Sequence, residues 1–174
     1  MRIRIEEVSQ TNFSDIPDPC RYCLYWQTTG AYSEEHLKPY NEREKKIWLS
    51  RVAREFGECA KIAYLEDSPA GFVQFAPAKF FPRTAEYSSG LPSKDAVFVA
   101  CLYVAKKEAR GKGLGTAMLE DLIGEVGRRG FKALETFARK SSAENPSGSL
   151  SLYLKYGFKV VVDKDDFPLV RLER

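Results

Sequence analysis

The chain is poor in several things at once: 174 residues hold one histidine, two methionines and four cysteines. None of its apolar runs approaches the roughly 20 residues that a membrane-spanning helix requires. Arg2 and Arg4 break up the opening MRIRIEEVSQ, so it lacks the uninterrupted apolar centre of a signal peptide, and the cytoplasm is the expected compartment. Cysteines at 20, 23, 59 and 101 are too few for a disulfide scaffold. Cys101 lies inside an apolar run where a small thiol packs well, so the cysteines are expected to be reduced. Lys and Arg total 27 against 24 Asp and Glu, a net charge of +3 with no long basic block. That balance argues against a general nucleic-acid binder and leaves small anions as ligands. Repeats and low-complexity tracts are missing too.

What is present suits one folded unit. At 44% hydrophobic, 174 residues are enough for one well-buried core and short for two, so a single domain over residues 1–174 is expected. Ile3 and Ile5 alternate with charge in a short strand. Asn41 and Glu44 have capping-box spacing, and Trp48, Val52 and Phe56 recur every four residues until Gly57, which predicts a helix over 42–56. Segments 61–66 and 71–76 flank Asp67-Ser68-Pro69 and read as an antiparallel hairpin. After a polar excursion over 77–94, the run 97–104 is apolar on both alternating sets, as in a strand covered on both faces. From Leu114 the period becomes helical, with Ala117, Met118, Leu122 and Val126 on one stripe. A strand over 133–137, a short helix over 150–156 and strands over 158–162 and 169–172 complete an α/β chain with a mixed sheet flanked by helices.

Between the central strand and the next helix lies KKEARGKGLGT, residues 106–116. A buried strand running through a glycine-rich turn into a helix aims unpaired N–H groups and the positive end of the helix dipole at one spot. Glycines without Cβ let an anion approach, and Arg110 and Lys112 add charge at the rim. The stretch reads either as a phosphate cradle or as a tight turn with solvated basic residues. It is not a P-loop, because Gly113 rather than Ser or Thr follows Lys112, and its glycine spacing differs from the dinucleotide fingerprint.

Arg110-x-x-Gly113-x-Gly115 after an apolar strand resembles the pyrophosphate signature of the GNAT superfamily of acyl-CoA-dependent N-acyltransferases. The segment LYLKYGF, residues 152–158, is similar to that superfamily's second signature, an aromatic-bearing helix followed by Gly-Phe and a strand. The two lie in the expected order and span about residues 95–162. Two departures stand out. Five residues, AKKEA, separate Val104 from Arg110 where four are common, and Asn145 lies eight rather than seven residues before Tyr153.

The resemblance implies a GNAT-type domain that moves an acetyl or other acyl group from acetyl-CoA to a primary amine by direct attack, with no metal. It implies cofactor contacts from Leu102, Tyr103, Val104, Arg110, Gly111, Lys112, Gly113, Leu114, Gly115 and Thr116. Backbone at 102–104 would hold the pantetheine arm and polarise the thioester. Tyr153, on the superfamily's tyrosine position, would be the acid for the departing thiolate; on spacing alone it reads equally as a core aromatic. Glu135, on the strand beside the presumed cleft, is the candidate base, set against the reading of a solvated strand carboxylate. His36 sits in a polar stretch and carries no role.

The remaining unusual stretch is PCRYCLYW, residues 19–26. Cys20-x-x-Cys23 alone is half of a zinc site without a second pair, or a redox pair without its usual strand-then-helix context. The resemblance places this segment on the acceptor side, with Cys20, Cys23, Tyr25 and Trp26 lining the amine pocket. It is compatible with a homodimer and calls for neither nucleic acid nor membrane. A catalytically silent acyl-CoA-binding module is the other function that these features fit.

Overall fold

A computed structural model of the protein describes residues 1–33, 37–141 and 146–174. Its frame is a seven-stranded mixed sheet: β1 (Ile3–Glu7), β2 (Ala60–Leu65), β3 (Ser68–Pro77), β4 (Ala96–Val104), β5 (Ala133–Phe137), β6 (Lys159–Val162) and β7 (Leu169–Glu173). The spatial order is β1-β2-β3-β4-β5-β7-β6. Every neighbouring pair is antiparallel except β4 with β5. That parallel pair needs a crossover, supplied by α2 (Leu114–Arg128).

Both faces of the sheet are covered. Along β4, Phe98 and Ala100 point toward α1 (Lys38–Glu55), where Trp48 and Val52 meet them. Val97, Val99 and Leu102 point the other way, onto α2 and Tyr153 of α3 (Leu150–Lys155). Met118, Leu119, Leu122 and Val126 of α2 are at most 1% exposed, and burial of side chains of this size stabilises by about 1.5–3 kcal/mol each. This helix is therefore pinned by its apolar stripe, which leaves its first turn to serve a ligand. Among the described residues no helix is long and apolar enough to cross a membrane.

The predicted elements are recovered with shifted ends. The largest shift is at α1, which begins at Lys38 with Pro39 in its first turn, a position where a missing N–H does no harm. Asn41 does not cap the helix. It lies within it, 3% exposed, and its side-chain amide donates to the Tyr22 carbonyl at 3.0 Å.

Candidate functional site

The site begins where the sheet comes apart. β4 and β5 pair only through Ala96 with Ala133, Val97 with Leu134 and Phe98 with Glu135. Gln74 then faces Cys101 and Phe75 faces Val99, so Ala100 is an extra residue on β4. Such a bulge bends and twists its strand. At the parting point the Thr136 hydroxyl donates to the Val99 carbonyl at 2.8 Å, a side chain standing in for the next ladder bond. From there to Val104, β4 is paired only with β3. Ladder alternation turns the N–H groups of Leu102 and Val104 toward the gap.

A cavity of about 530 Å³ fills this gap, lined by Leu102, Tyr103, Val104, Arg110, Gly111 and Gly113–Thr116 on one side and by Gly148, Ser149 and Leu152 on the other. Of the ten residues expected to contact cofactor, nine line it; Lys112 is exposed at its rim. The additional residue between Val104 and Arg110 is absorbed by a tight turn over Lys107–Ala109 that buries Ala109. Gly113 caps α2 at φ +79°, and Gly111 has φ +72°. A Cβ added at either would meet nothing within 4 Å, so the backbone presents an open cradle to the cavity. The first N–H groups of α2 point into it with the dipole behind them. Arg110 reaches back to the Val104 carbonyl at 3.3 Å and the Tyr103 hydroxyl at 3.4 Å, which holds its charge beside the cradle. The donor set and the open glycines fit a diphosphate.

The inner end of the gap is closed by the chain itself. Leu102 N–H donates to the Pro146 carbonyl at 2.8 Å. The Tyr153 hydroxyl donates to the next carbonyl, Ser147, also at 2.8 Å. Tyr153 is fully buried and lines neither this cavity nor its neighbour; burial pushes its phenol well above the ordinary value, so it stays protonated across the neutral range. Gly148, at φ +83°, fits over it so closely that a Cβ would come within 2.9 Å of the hydroxyl oxygen.

Beyond Pro146 and Ser147 lies a second cavity, about 220 Å³, lined also by Cys23, Tyr25, Trp26, Tyr87, Cys101 and Phe167. Three of the four residues assigned to the acceptor side are there; Cys20 is buried behind them. The Tyr87 ring stacks on Phe137 (4.4 Å between centroids, 6° between planes) and on Trp26 (5.2 Å, 19°). Its hydroxyl lies 3.0 Å from that of Tyr25. Arg83, 5% exposed, holds this wall by donating to the carbonyls of Tyr25 at 2.6 Å and Gly30 at 2.9 Å while lying over the Tyr25 ring. From α1, Lys45 donates to the Cys23 carbonyl at 2.8 Å. Tyr87, Cys101, Phe167, Ser147 and Arg83 were missed by sequence reasoning. Only the aromatic Tyr87 inside the polar excursion gave any hint.

Glu135 lines neither cavity. It is 1% exposed on β5, where its oxygens accept from Arg171 at 2.8 Å and from the backbone of Ser93 at 2.7 Å. The solvated strand carboxylate is thus corrected to a buried, paired one. Arg171 also binds Asp95 at 3.0 Å, and these carboxylates raise its pKa further. Asn145 and His36 lie outside the described residues. Among the described residues, no group of three or more His, Cys, Asp or Glu is arranged to hold a metal ion, and no disulfide joins any of the four cysteines.

Comparison with solved structures gives the same architecture. PaiA N-acetyltransferase from Thermoplasma acidophilum, in complex with coenzyme A, is 17% identical with a TM-score of 0.64, over 100% of both chains. An N-acetyltransferase from Staphylococcus aureus Mu50 is 23% identical with a TM-score of 0.64, over 99% of both chains. A GNAT family acetyltransferase from Brucella melitensis, in complex with acetyl-CoA, is 12% identical with a TM-score of 0.54, over 99% of this chain and 88% of its own. At these identities the likeness speaks for the fold. No curated protein matches the chain in sequence. The match that decides the family is of sequence: residues 21–158, well over half of the chain, fit the acetyltransferase (GNAT) family. The chain belongs to that family.

Proposed function

We propose that the protein transfers an acetyl group from acetyl-CoA to a primary amine of a small molecule, peptide or protein by direct attack on the thioester. The observation that carries this reading is the gap between β4 and β5, with strand N–H groups along one wall, an open glycine cradle at one end and a second cavity at the other. The N–H groups from Gly113 to Thr116 take the diphosphate, with Arg110 supplying charge. Val104 and Leu102 hold the extended arm as a neighbouring strand would. Leu102 N–H polarises the thioester oxygen once Pro146 releases it, and preorganised donors of this kind contribute much of the rate in acyl transfer.

Tyr153 supplies the proton to the departing sulfur. For this its hydroxyl leaves the Ser147 carbonyl, which lies at the boundary of the acceptor cavity. The amine sits among Cys23, Tyr25, Trp26 and Tyr87. We assign Glu135 to the sheet, as the paired anchor of β5 and β7, and route the proton of the amine to solvent at the cavity mouth.

The test is release of free CoA from acetyl-CoA across a broad amine panel, alongside calorimetric binding of CoA. Turnover with at least one amine class supports the enzyme. One observation favours a second reading: both Leu102 N–H and the Tyr153 hydroxyl are engaged by the chain's own carbonyls. Tight CoA binding with no turnover on any amine would make the protein a silent acyl-CoA-binding module.

A further inference from the structure

Three of the four thiols gather on the acceptor side, and the acetyl transfer proposed above gives none of them a chemical step. Cys23 and Cys101 line the same cavity of about 220 Å³. Cys20 shares a tight turn with Cys23, and both are close enough to Cys101 for their charge to be felt there. Cys23 alone is half-buried; Cys20, Cys59 and Cys101 are buried. Burial pushes the Cys59 thiol up to about 12 and raises Cys101 strongly, so both remain protonated and weakly nucleophilic at neutral pH. The Cys23 backbone is fixed as well: Lys45 grips its carbonyl at 2.8 Å, and its N–H reaches the Cys20 carbonyl at 3.3 Å.

The place of this cavity matters as much as its lining. Cys101 precedes Leu102, which lines the cofactor cavity, and Pro146 and Ser147 continue into Gly148 and Ser149 of that cavity's wall. An arm anchored by its diphosphate at Gly113–Thr116 and laid back along Val104 and Leu102 therefore ends beside Cys101, and it faces Cys23 once Pro146 and Ser147, which close the inner end of the gap, give way. In coenzyme A, the end of that arm is a sulfur atom.

We infer that Cys23 is a site of reversible thiol–disulfide exchange with the coenzyme, forming a mixed disulfide between Cys23 and CoA from the disulfide form of CoA. This rests on the acetyl-CoA reading of the cofactor cavity. The Cys23 thiolate attacks one sulfur of CoA disulfide, the S–S bond breaks, and the other half departs as CoA thiolate, which takes up the proton that Cys23 gave. No separate oxidant is needed. The adduct fills both cavities at once and shuts the enzyme off until a free thiol reverses the exchange.

The experiment incubates the reduced chain with CoA disulfide or glutathione disulfide at equal concentration and follows intact mass, then maps the modified peptide. We expect one CoA per chain, on Cys23, removed by dithiothreitol. Because the diphosphate anchors the reagent, CoA disulfide should react about tenfold faster or more than glutathione disulfide. Gly113→Asp should bring the CoA rate down to the glutathione rate, Cys23→Ser should abolish labelling, and Cys59→Ser should label like the parent. Peptide mapping on the unaltered chain keeps the test decisive even where a variant fails to fold. Label on another cysteine, an internal disulfide instead of the adduct, or equal rates with both reagents overturns the inference. If calorimetry shows CoA binding while Cys23 stays unlabelled, this inference alone fails. If CoA does not bind at all, the acetyl-CoA reading fails with it.

Discussion

The two cavities are built on opposite plans. The cofactor side is mostly backbone: a stretch from Leu102 to Thr116 faced across the gap by Gly148, Ser149 and Leu152, with open glycines and N–H groups whose direction follows from a strand and a helix start. The acceptor side is made of side chains from five separate stretches of sequence, packed ring on ring and tied down by Arg83 and Lys45. Even within the cofactor wall the glycines differ: a Cβ at Gly113 meets open space, whereas one at Gly148, across the gap, meets Tyr153 at 2.9 Å. A backbone site tolerates change in its neighbours and fails at single glycines. A side-chain site can be retuned residue by residue, which suits the half that we propose recognises the amine.

The largest expected effect breaks the backbone plan at its narrowest point. Gly113→Asp places a carboxylate where the diphosphate belongs and forces a side chain into a left-handed turn, so CoA affinity should fall by about a thousandfold, about 4 kcal/mol. Calorimetry with an unchanged circular dichroism spectrum checks it, and retained affinity would remove the cradle from the cofactor site. Next comes Tyr153→Phe, which keeps the ring and deletes the hydroxyl. It should lower kcat by about a hundredfold with acetyl-CoA affinity nearly constant. Steady-state kinetics on a good amine decide it; an undiminished kcat would leave Tyr153 a core aromatic.

Gly148→Ala sharpens the contrast between open and filled glycines. Positive φ and the contact with Tyr153 together should cost about 2 kcal/mol or more, while Gly113→Ala should cost only about 1 kcal/mol of backbone strain. Urea titrations of both variants measure the difference, and equal losses would deny that the Gly148 side of the gap is the more tightly packed. The Cys20→Ser, Cys23→Ser pair should fold, bind CoA and raise the acceptor KM by about three- to tenfold, as expected for removing wall contacts. Loss of folding together with loss of a stoichiometric zinc ion would instead make the pair a structural metal site.

The smallest effect lies away from both cavities, where β2 is clamped to α2. Lys61 of β2 reaches Asp121 of α2 at 2.6 Å, with Glu58 and Glu125 at 3.9 and 3.7 Å. Burial first, then the neighbouring Glu7, pushes the Glu58 carboxyl up to about 8, against the pull of Lys61. The folded state thus holds a proton on Glu58 that the unfolded chain gives up near its ordinary value, so the stability from this group is present at low pH and declines from about 4.5 to about 8. Glu58→Gln should therefore raise the melting temperature by a few degrees at pH 8 and leave it nearly unchanged at pH 4. Equal shifts at both pH values would contradict the raised pKa.

How much was legible follows the same division. The strand, turn and helix from 97 to 126 are written in consecutive residues, so apolar runs, glycines and a change of period located the turn, while the resemblance supplied the ten residues expected to contact cofactor, nine of which line one cavity. The acceptor wall was half legible: PCRYCLYW is conspicuous, but its partners Tyr87, Cys101 and Phe167 arrive only through the fold. The start of α1 was misread because Asn41 has the chemistry of a cap, and its true partner, the Tyr22 carbonyl, is 19 residues away. Glu135 was misjudged for the same reason, since the arginine that neutralises it lies 36 residues later, on β7.

That last pairing bears on how the chain is assembled. The strand order sets β7 between β5 and β6, so a chain emerging from the ribosome presents β6 before the strand beside which it lies. Until residues 169–173 appear, β5 remains the edge of the sheet, Glu135 lacks its arginine, and the backbone of β6 lacks its ladder partner. The final strand acts as a keystone, and its arrival locks the side of the sheet on which the acceptor wall rests.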